Sequence, residues 1–295
     1  ATNPSTNLRF KLRAPFTFDL YRGLQDLTRE PFGLTEKLDG DIYQTVLCGI
    51  LVSVRQTGRK SLEVELDHES SEVRSSITEQ LKRKFGFYQD MNAFHEFARR
   101  DTNLVQLIDR LAGLTMFQKS TPFEALVTAI TDQQLNTSFA TTLKRRLITS
   151  YGRCWTAGVA DLMSFPEPSQ LAKLKNNALR SLQYSGAKSR YIIELARGVM
   201  SGKYPLQDWS RLGDGTLLEE LISIYGVGRW TAEYAAMVGY GRADIVPAAD
   251  IGLQKAVQRC YGLEHRPTEA EVRDLSESWR PWRGLVTYYL WHGFE

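Results

Sequence analysis

The first third of the chain carries the alternation of apolar and polar positions that is typical of β-strands. Apolar side chains take every second position of 46–54 and of 62–66, and 8–12 looks like a further strand. Residues 56–59, with a glycine at 58, separate the first two segments. Two alternating segments joined by a short glycine-containing turn predict an antiparallel β-hairpin.

After these strands the apolar period becomes that of helices. Val73, Ile77 and Leu81 recur every four residues and predict one helix. From about residue 92 the helical period continues, divided by glycines and prolines. The predicted helices span 92–99, 102–111, 121–133, 137–150, 169–175, 176–182, 187–200, 216–224, 229–239, 250–260, 268–277 and 281–291. We therefore expect an α+β protein, with a small antiparallel sheet and helices in an N-terminal domain at 1–112 and an all-helical domain at 113–295.

Length and composition limit the classes of protein to which the chain can belong. Its 295 residues are enough for two domains. Hydrophobic residues at 42% and charged residues at 24% are ordinary for a globular protein, which excludes disorder and fibrous repeats as the main organisation.

Cysteines and apolar segments bear on the cellular compartment. Three widely spaced cysteines cannot build a disulfide framework or a paired-cysteine metal site. We therefore expect reduced thiols in the cytoplasm and nucleoid, or in a nucleus. The amino-terminal segment lacks the apolar core of a signal peptide, and the longest apolar segment, 46–54, is too short to cross a membrane.

Charge is distributed unevenly, although the formal net charge is only +3. Residues 141–203 contain eleven basic and three acidic residues, and Lys144, Arg145 and Arg146 form a continuous basic cluster. Such a segment predicts a surface that binds a polyanion. A solvated helix surface is the alternative, and charge alone does not separate the two.

Two glycines one residue apart, Gly226 and Gly228, stand between two short helical segments. They let the backbone turn tightly, and the second helix then opens at Arg229 with unpaired amide groups and a positive dipole end. This pattern predicts an anion site at Gly226, Val227, Gly228 and Arg229. The alternative is a helical hairpin in which the glycines only make the turn. A dinucleotide-binding motif is excluded because a helix, not a strand, precedes the glycines.

At these residues the sequence resembles a known family. LISIYGVGRWTAEYAAMVGYGRADIVPAAD is similar to the helix-hairpin-helix and following aspartate loop of the DNA glycosylase superfamily. GVGRWTA and WRPWRGLVTYYLWHG are similar to 3-methyladenine DNA glycosylase II, the AlkA type. PFEALVTAITDQQLNTSFA and SGAKSRYIIELARGV resemble further helices of that family. The resemblance covers nearly the whole chain and implies an active site in the cleft between helical subdomains.

Asp250 is the catalytic residue that the resemblance implies. By itself, an aspartate before a helical segment is most often a helix N-cap. The two roles are compatible, because backbone amides hold a capping carboxylate in place. Breaking an N-glycosidic bond develops positive charge on the sugar, and a fixed carboxylate stabilises that charge or orients the attacking water. Asp244, nearby on a polar loop, is expected to be structural.

Aromatic residues are expected to form the base pocket. Trp230 and Tyr234 are four residues apart on one helix, and Tyr288 and Trp291 are three apart on the last helix. Such pairs alone favour an aromatic core, but the resemblance assigns Trp230, Tyr234 and Trp291 to the pocket, where electron-rich rings attract a cationic base. Arg283 is expected either to reach this pocket or to anchor the last helix.

The position of Trp230 also bears on the reaction. In relatives that cut the DNA backbone, a lysine at this position forms a Schiff base with the sugar. Tryptophan cannot attack carbon, so we expect no lyase activity by that route. The four closely spaced cysteines that hold an iron–sulfur cluster in another branch are also missing. Both absences argue against the rival prediction of a glycosylase for oxidised or mismatched bases.

A flipped base leaves a gap in the duplex that a protein side chain usually fills. The family's wedge position corresponds to Gln134, with Gln133 beside it. Some relatives carry an apolar residue there. Glutamine can bond to the orphaned base but gives up hydrophobic stacking. Alternatively, both glutamines cap a loop between helices.

The sequence thus predicts a monofunctional DNA glycosylase of base excision repair, which releases alkylated purines, and with them deaminated purines, and leaves an abasic site. Its expected partner is double-stranded DNA with damaged bases, contacted by residues 133–134, 226–229 and 144–146. A monomer is expected, and a membrane partner is not. The rival interpretation is a non-catalytic DNA-binding protein that uses the same hairpin.

No redox cofactor or nucleotide is expected to be required. The resemblance implies a monovalent cation, sodium or potassium, in the hairpin. Its ligands would be the backbone carbonyls of Ile222, Ile224 and Val227, and it would bridge to a DNA phosphate.

Overall fold

The computed structural model describes residues 8–24, 33–67, 71–157 and 160–294. Its N-terminal part is a five-stranded antiparallel sheet in the order β1-β5-β4-β3-β2. Helix α2 follows the sheet and buries Ile77 and Leu81, as the four-residue period predicts. The elements are β1 Leu8–Arg13, α1 Leu20–Leu24, β2 Glu36–Asp39, β3 Ile42–Leu47, β4 Ile50–Gly58, β5 Ser61–Leu66 and α2 Ser71–Lys84. The predicted α+β class is confirmed.

The predicted hairpin is present as β4 and β5, but residues 46–54 are not a single strand. The chain reverses at Cys48 and Gly49, whose φ angles are 51° and 73°. Two consecutive positive φ angles are typical of the two-residue turns that match the twist of paired strands. The buried positions are odd-numbered in β3 and even-numbered in β4. The alternation across 46–54 therefore spans a second hairpin.

A further hairpin was not predicted from the sequence. Strands β6 Cys154–Ala157 and β7 Ala160–Met163 pair antiparallel. The Met163 N–H donates to the Leu34 carbonyl at 2.6 Å, which attaches this hairpin to the chain just before β2. Neither segment, CWTA or ADLM, alternates strictly between apolar and polar residues, so the sequence carries no strand period there.

The helical prediction is confirmed from residue 91 onward except at the β6–β7 hairpin, which corrects the expectation that 113–295 is all-helical. Polar side chains such as Thr121, Asn136 and Ser185 cap helix starts by accepting a backbone N–H. The helices are α3 Met91–Ala98, α4 Thr102–Arg110, α5 Pro122–Asp132, α6 Thr137–Tyr151, α7 Pro168–Leu171, α8 Asn176–Arg180, α9 Gly186–Met200, α10 Asp214–Ser223, α11 Arg229–Tyr240, α12 Ile251–Tyr261, α13 Glu269–Ser276 and α14 Arg283–Phe294. Within the described part of the chain, no helix combines the length and apolar character needed to cross a membrane.

Helices α5 and α11 form the centre of the helical part. A Cβ atom on Gly239 would lie 2.8 Å from the Ala125 Cβ, so the absence of a side chain there lets the two helices approach closely. Gly239 is near the end of α11 and Ala125 near the start of α5, and the helices therefore run antiparallel. The carboxyl end of α5 consequently lies beside the amino end of α11.

Helices α3 and α4 pack against the carboxyl-terminal helices. The Phe94 ring contacts the Tyr289 ring edge-on at 5.1 Å, and the His95 Nε2 lies 3.0 Å from the Tyr289 hydroxyl. Helix α4 also contacts α12 and α14. The domain boundary after residue 112 stays a prediction. Helices α3 and α4, which precede it, pack against helices that follow it.

Candidate active site

A cleft of about 1350 Å³ lies mainly among the helices, and Glu36 of β2 also lines it. Its walls include the loop between α5 and α6 and parts of α9, α11, α12 and α14. The predicted residues Trp230, Tyr234, Asp250, Tyr288 and Trp291 all line it. The sequence-based prediction of one shared pocket therefore agrees with their positions.

Asp250 is held at this wall by three N–H groups. Its Oδ1 accepts the Leu253 backbone N–H at 2.7 Å, so the residue is the N-cap of α12. The same oxygen accepts the Trp291 indole N–H at 3.1 Å. Oδ2 accepts the Trp230 indole N–H at 3.1 Å. These neutral donors fix the orientation of the carboxylate without supplying an opposite charge.

The aromatic rings around Asp250 form one continuous wall. The Trp230 and Tyr234 rings stack at 5.7 Å between centroids, and Tyr234 meets Trp291 at 6.0 Å and 45°. All three side chains are half-buried. Tyr288 is more deeply placed, and its hydroxyl accepts the Phe117 backbone N–H at 3.2 Å. The wall therefore offers ring faces to a ligand, while Tyr288 joins it to the core.

Arg283 belongs to a salt-bridge cluster outside this wall. Its Nε lies 2.9 Å from Asp244 Oδ1, and its Nη1 lies 3.0 Å from Glu277 Oε1. The pocket assignment of Arg283 is thereby corrected in favour of the anchoring alternative. Asp244 has the structural role expected of it. The cluster fixes the start of α14, the helix that carries Trp291.

Two further carboxylates line the cleft, Glu36 on strand β2 and Glu124 on helix α5. Burial raises the pKa of Glu36, but the Lys84 ammonium and the Tyr43 hydroxyl outweigh this and hold the pKa below its usual value. Burial raises the pKa of Glu124, whose carboxylate accepts the Ser120 N–H at 3.1 Å. The Glu36 carboxylate therefore pairs with the Lys84 ammonium, whereas the three N–H groups that hold Asp250 are neutral.

The hairpin between α10 and α11 requires glycine at position 226. Its φ is +87°, and a Cβ atom there would lie 2.2 Å from the Tyr191 ring. Gly228 is the N-cap of α11 and contributes no capping side chain. Helix amides at such an end point outward and can hold an anion. The Arg229 side chain is 64% exposed and pairs with Glu233 at 2.9 Å.

The predicted wedge residue, Gln134, and its neighbour Gln133 have different surroundings. Gln133 ends α5, and its side-chain amide donates to the Gly226 carbonyl at 3.0 Å and to the Thr231 hydroxyl at 2.9 Å. Gln134 is exposed at the cleft, with a φ of 54°. The predicted DNA contact of Gln133 is thus corrected to a contact within the protein, and Gln134 stays the candidate wedge.

The predicted basic cluster does not form one surface. Lys144 is 4% exposed and pairs with Asp132 at 3.1 Å. Arg146 donates to the Leu182 carbonyl at 3.3 Å, whereas Arg145 is exposed. Consecutive helical residues point about 100° apart, since a turn takes 3.6 residues. The prediction of a joint phosphate site is therefore corrected, and Arg145 is its remaining candidate.

Lys188 is a site residue that the sequence reasoning missed. It is 9% exposed, and its ammonium donates to the carbonyls of Thr131 at 2.7 Å and Gln133 at 2.6 Å. Burial lowers its pKa, and nearby Asp132 opposes this shift. Lys188 is one of the eleven basic residues of 141–203. No pattern in the sequence distinguishes a lysine that binds carbonyls inside the protein from a lysine at the surface.

Glu233 was missed in the same way. Its carboxylate is buried and accepts two bonds from Arg273, at 2.9 and 3.2 Å, besides that from Arg229. This group joins the start of α11 to α13. The helical spacing of Arg229 and Glu233 could have indicated their pairing.

Comparisons with known proteins agree with this arrangement. DNA-3-methyladenine glycosylase of Bacillus subtilis is 27% identical over 285 residues, which cover 94% of both chains. The structure of a 3-methyladenine DNA glycosylase from Archaeoglobus fulgidus superposes with a TM-score of 0.85 at 21% identity, over 96% of this chain and 97% of that one.

A more distant likeness is that to the 8-oxoguanine glycosylase/lyase of Clostridium acetobutylicum in complex with double-stranded DNA. It has a TM-score of 0.76 at 16% identity and covers 96% of each chain. At these identities the two structures show the shared fold. The profile of the HhH-GPD superfamily base excision DNA repair proteins matches residues 127–281, which carry the wedge loop, the hairpin and Asp250. The chain belongs to the HhH-GPD superfamily of base excision DNA repair proteins.

Proposed function

We propose that this protein is a monofunctional DNA glycosylase that releases alkylated purines from double-stranded DNA. The observation that carries the proposal is the Asp250 carboxylate, which two indole N–H groups and a helix amide hold beside a wall of aromatic rings. The names of its relatives, DNA-3-methyladenine glycosylases, support the same substrate class.

In this reaction the bond between C1′ and the base nitrogen breaks, and its electron pair leaves with the base. Positive charge develops on the sugar, and Asp250 stabilises it electrostatically. Water then adds to C1′ and gives up a proton, which leaves an abasic site. An N-alkylated purine that is already cationic leaves as a neutral molecule, so it needs no proton donor.

The rings of Trp230, Tyr234 and Trp291 provide selectivity for such a base. Cation–π attraction contributes about 2 kcal/mol or more when the cation is desolvated, whereas a neutral purine gains stacking alone. Deaminated purines such as hypoxanthine are therefore poorer substrates in this proposal, though within its range.

The absence of lyase activity is also part of the proposal. The 8-oxoguanine neighbour is named as a glycosylase/lyase, but at position 230 this chain has a tryptophan whose N–H is committed to Asp250. An indole has no amine that could form a Schiff base.

DNA is proposed to be held by the hairpin. The outward amides at the start of α11 would bind a phosphate. The proposed ligands of a sodium or potassium ion are the carbonyls of Ile222, Ile224 and Val227. Ile222 lies in the last turn of α10, where carbonyls lack a helical partner, whereas the Ile224 carbonyl also accepts the Val227 N–H at 3.0 Å. Such a cation would supply positive charge at the phosphate.

The decisive experiment uses duplexes that each contain one 7-methylguanine, hypoxanthine or 8-oxoguanine. Released base is measured under single-turnover conditions, and the abasic product is incubated with borohydride to trap any Schiff base. We expect release of 7-methylguanine above hypoxanthine, with no trapped complex.

Binding of the 7-methylguanine duplex without release would favour the non-catalytic alternative. Preferential release of 8-oxoguanine would show that oxidised purines, not alkylated purines, are the substrates. A covalent protein–DNA complex trapped by borohydride would contradict the proposal that the enzyme has no lyase activity.

A further inference from the structure

The loop between α5 and α6, residues 133–136, is tied to the hairpin between α10 and α11 by a single side chain. The amide of Gln133 donates both to the Gly226 carbonyl and to the Thr231 hydroxyl, at 3.0 and 2.9 Å. These acceptors lie on either side of the hairpin's helix start. Because α5 and α11 run antiparallel, the bonds join two helix ends that already lie side by side.

A second tie comes from α9. The Lys188 ammonium donates to the Thr131 and Gln133 carbonyls, at 2.7 and 2.6 Å. These carbonyls belong to the last turn of α5, where helix carbonyls need external donors. The Lys188 side chain therefore holds the backbone of the residue immediately before Gln134.

Gln134 is therefore an exposed residue on a loop whose backbone is held in place. Gln134 has a left-handed backbone, with φ of 54°, and a non-glycine residue keeps such a conformation when its surroundings determine it. The Gln133 side chain supplies part of those surroundings by binding the hairpin, and Lys188 supplies another part by binding the Gln133 carbonyl.

We infer that Gln133 and Lys188 are positioning residues for base flipping, which make the Gln134 loop and the hairpin one rigid unit. Phosphate binding at the hairpin then fixes the height at which Gln134 enters the base stack. Without these ties, the loop yields when it meets a stacked base pair, and the flipped state loses support. This inference rests on the proposed glycosylase function, and neither residue touches the reacting atoms.

The test compares two duplexes that differ only in the cost of flipping. One contains 7-methylguanine paired with cytosine, and the other contains 7-methylguanine opposite a tetrahydrofuran abasic analogue, where no pairing must be broken. Gln133→Met keeps the length of the side chain but removes both donated bonds. We expect single-turnover release from the paired duplex to fall about tenfold, as for loss of two hydrogen bonds, with a fall of less than about threefold from the unpaired duplex.

Lys188→Met should shift the ratio of the two rates in the same direction, and Lys188→Arg, which keeps the charge, should restore it in part. Gln80→Met is the matched control. It removes amide contacts to Cys48 and Ser76 on the sheet side and should leave the ratio at its wild-type value. Equal losses on both duplexes, or none on either, would overturn the inference.

A spectroscopic measurement separates this inference from the proposed function. A 2-aminopurine placed next to the modified guanine brightens when the neighbouring base leaves the stack. Gln133→Met should reduce this brightening with the paired duplex. If wild-type protein brightens the probe but releases no base from either duplex, the proposed function fails while the positioning role stands. Equal brightening by wild type and variant rejects the positioning role.

Discussion

The Trp230 indole N–H donates to Asp250 Oδ2 at 3.1 Å, which links α11 to the N-cap of α12. A residue predicted as a pocket wall is therefore also a direct support of the candidate catalytic carboxylate. Substitutions at Asp250 and at Trp230 separate these contributions.

Asp250→Asn removes the charge but keeps an oxygen that can accept the Leu253 N–H. We expect base release to fall by about 10²–10³ or more, the usual effect of losing a preorganised electrostatic group. Affinity for the modified duplex should persist, and the melting temperature should change little because asparagine is also a good N-cap. Single-turnover release and a binding titration check both parts. Wild-type release by this variant would remove Asp250 from the mechanism.

Trp230→Phe removes the indole donor and keeps a ring against Tyr234. A hydrogen bond to a charged group contributes about 1.5–3 kcal/mol, so release of both 7-methylguanine and hypoxanthine should fall about tenfold or more. The methylated base should fall further, because phenylalanine binds cations less strongly than tryptophan.

The matched control is Trp279→Phe, which removes a buried indole bond to Tyr261 of 2.9 Å outside the cleft. It should lower the melting temperature and leave the ratio of the two release rates unchanged. A Trp230→Phe variant with an unchanged ratio would deny the ring its cation-binding role.

Removal of the Arg145 side chain should change the salt dependence of DNA binding, and removal of the Lys144 side chain should change stability. Arg145→Ala should lower the slope of log affinity against log salt by about 0.9, as for one phosphate contact. Lys144→Ala should leave that slope unchanged but lower the melting temperature, because it breaks the buried ion pair with Asp132. DNA-binding titrations at several salt concentrations, with thermal unfolding of both variants, check this. A salt slope that depends on Lys144 would restore the original cluster.

The junction between α3 and α14 should weaken in acid. Burial lowers the pKa of His95, with Arg99 acting in the same direction. The folded state thus prefers neutral histidine. Stability is complete above the unfolded-state pKa of about 6.5 and is lost as the pH falls through that value. His95→Gln should reduce the fall in melting temperature between about pH 7.5 and 5. An unchanged fall in melting temperature in this variant would assign the acid weakening to another group.

The helices could be predicted closely because period, caps and breakers agree along the sequence. The error at 46–54 arose because a two-residue turn preserves an apparent alternation while the buried face changes. The positive φ angles of Cys48 and Gly49, and the change of buried positions from odd in β3 to even in β4, show the reversal. Glycine at 49 was compatible with a turn, but alternation outweighed it.

The residue types of the site could be predicted, but their partners could not. Asp250, Trp230 and Trp291 were brought together by family resemblance, yet the indole-to-carboxylate bonds depend on ring orientation. Likewise, Lys144 and Lys188 look like surface charges in the sequence. Their burial depends on the antiparallel packing of α5 with its neighbours, which involves distant segments of the chain.

The capping role of Asp250 has an evolutionary consequence. Because asparagine caps helices about as well as aspartate, the proposed role of Asp250 implies that one conservative substitution would silence the chemistry while α12, the aromatic wall and the hairpin stay intact. Selection for folding alone would not remove such a chain. On the proposed mechanism, this architecture therefore lies one codon change from a protein that binds damaged DNA and only marks it.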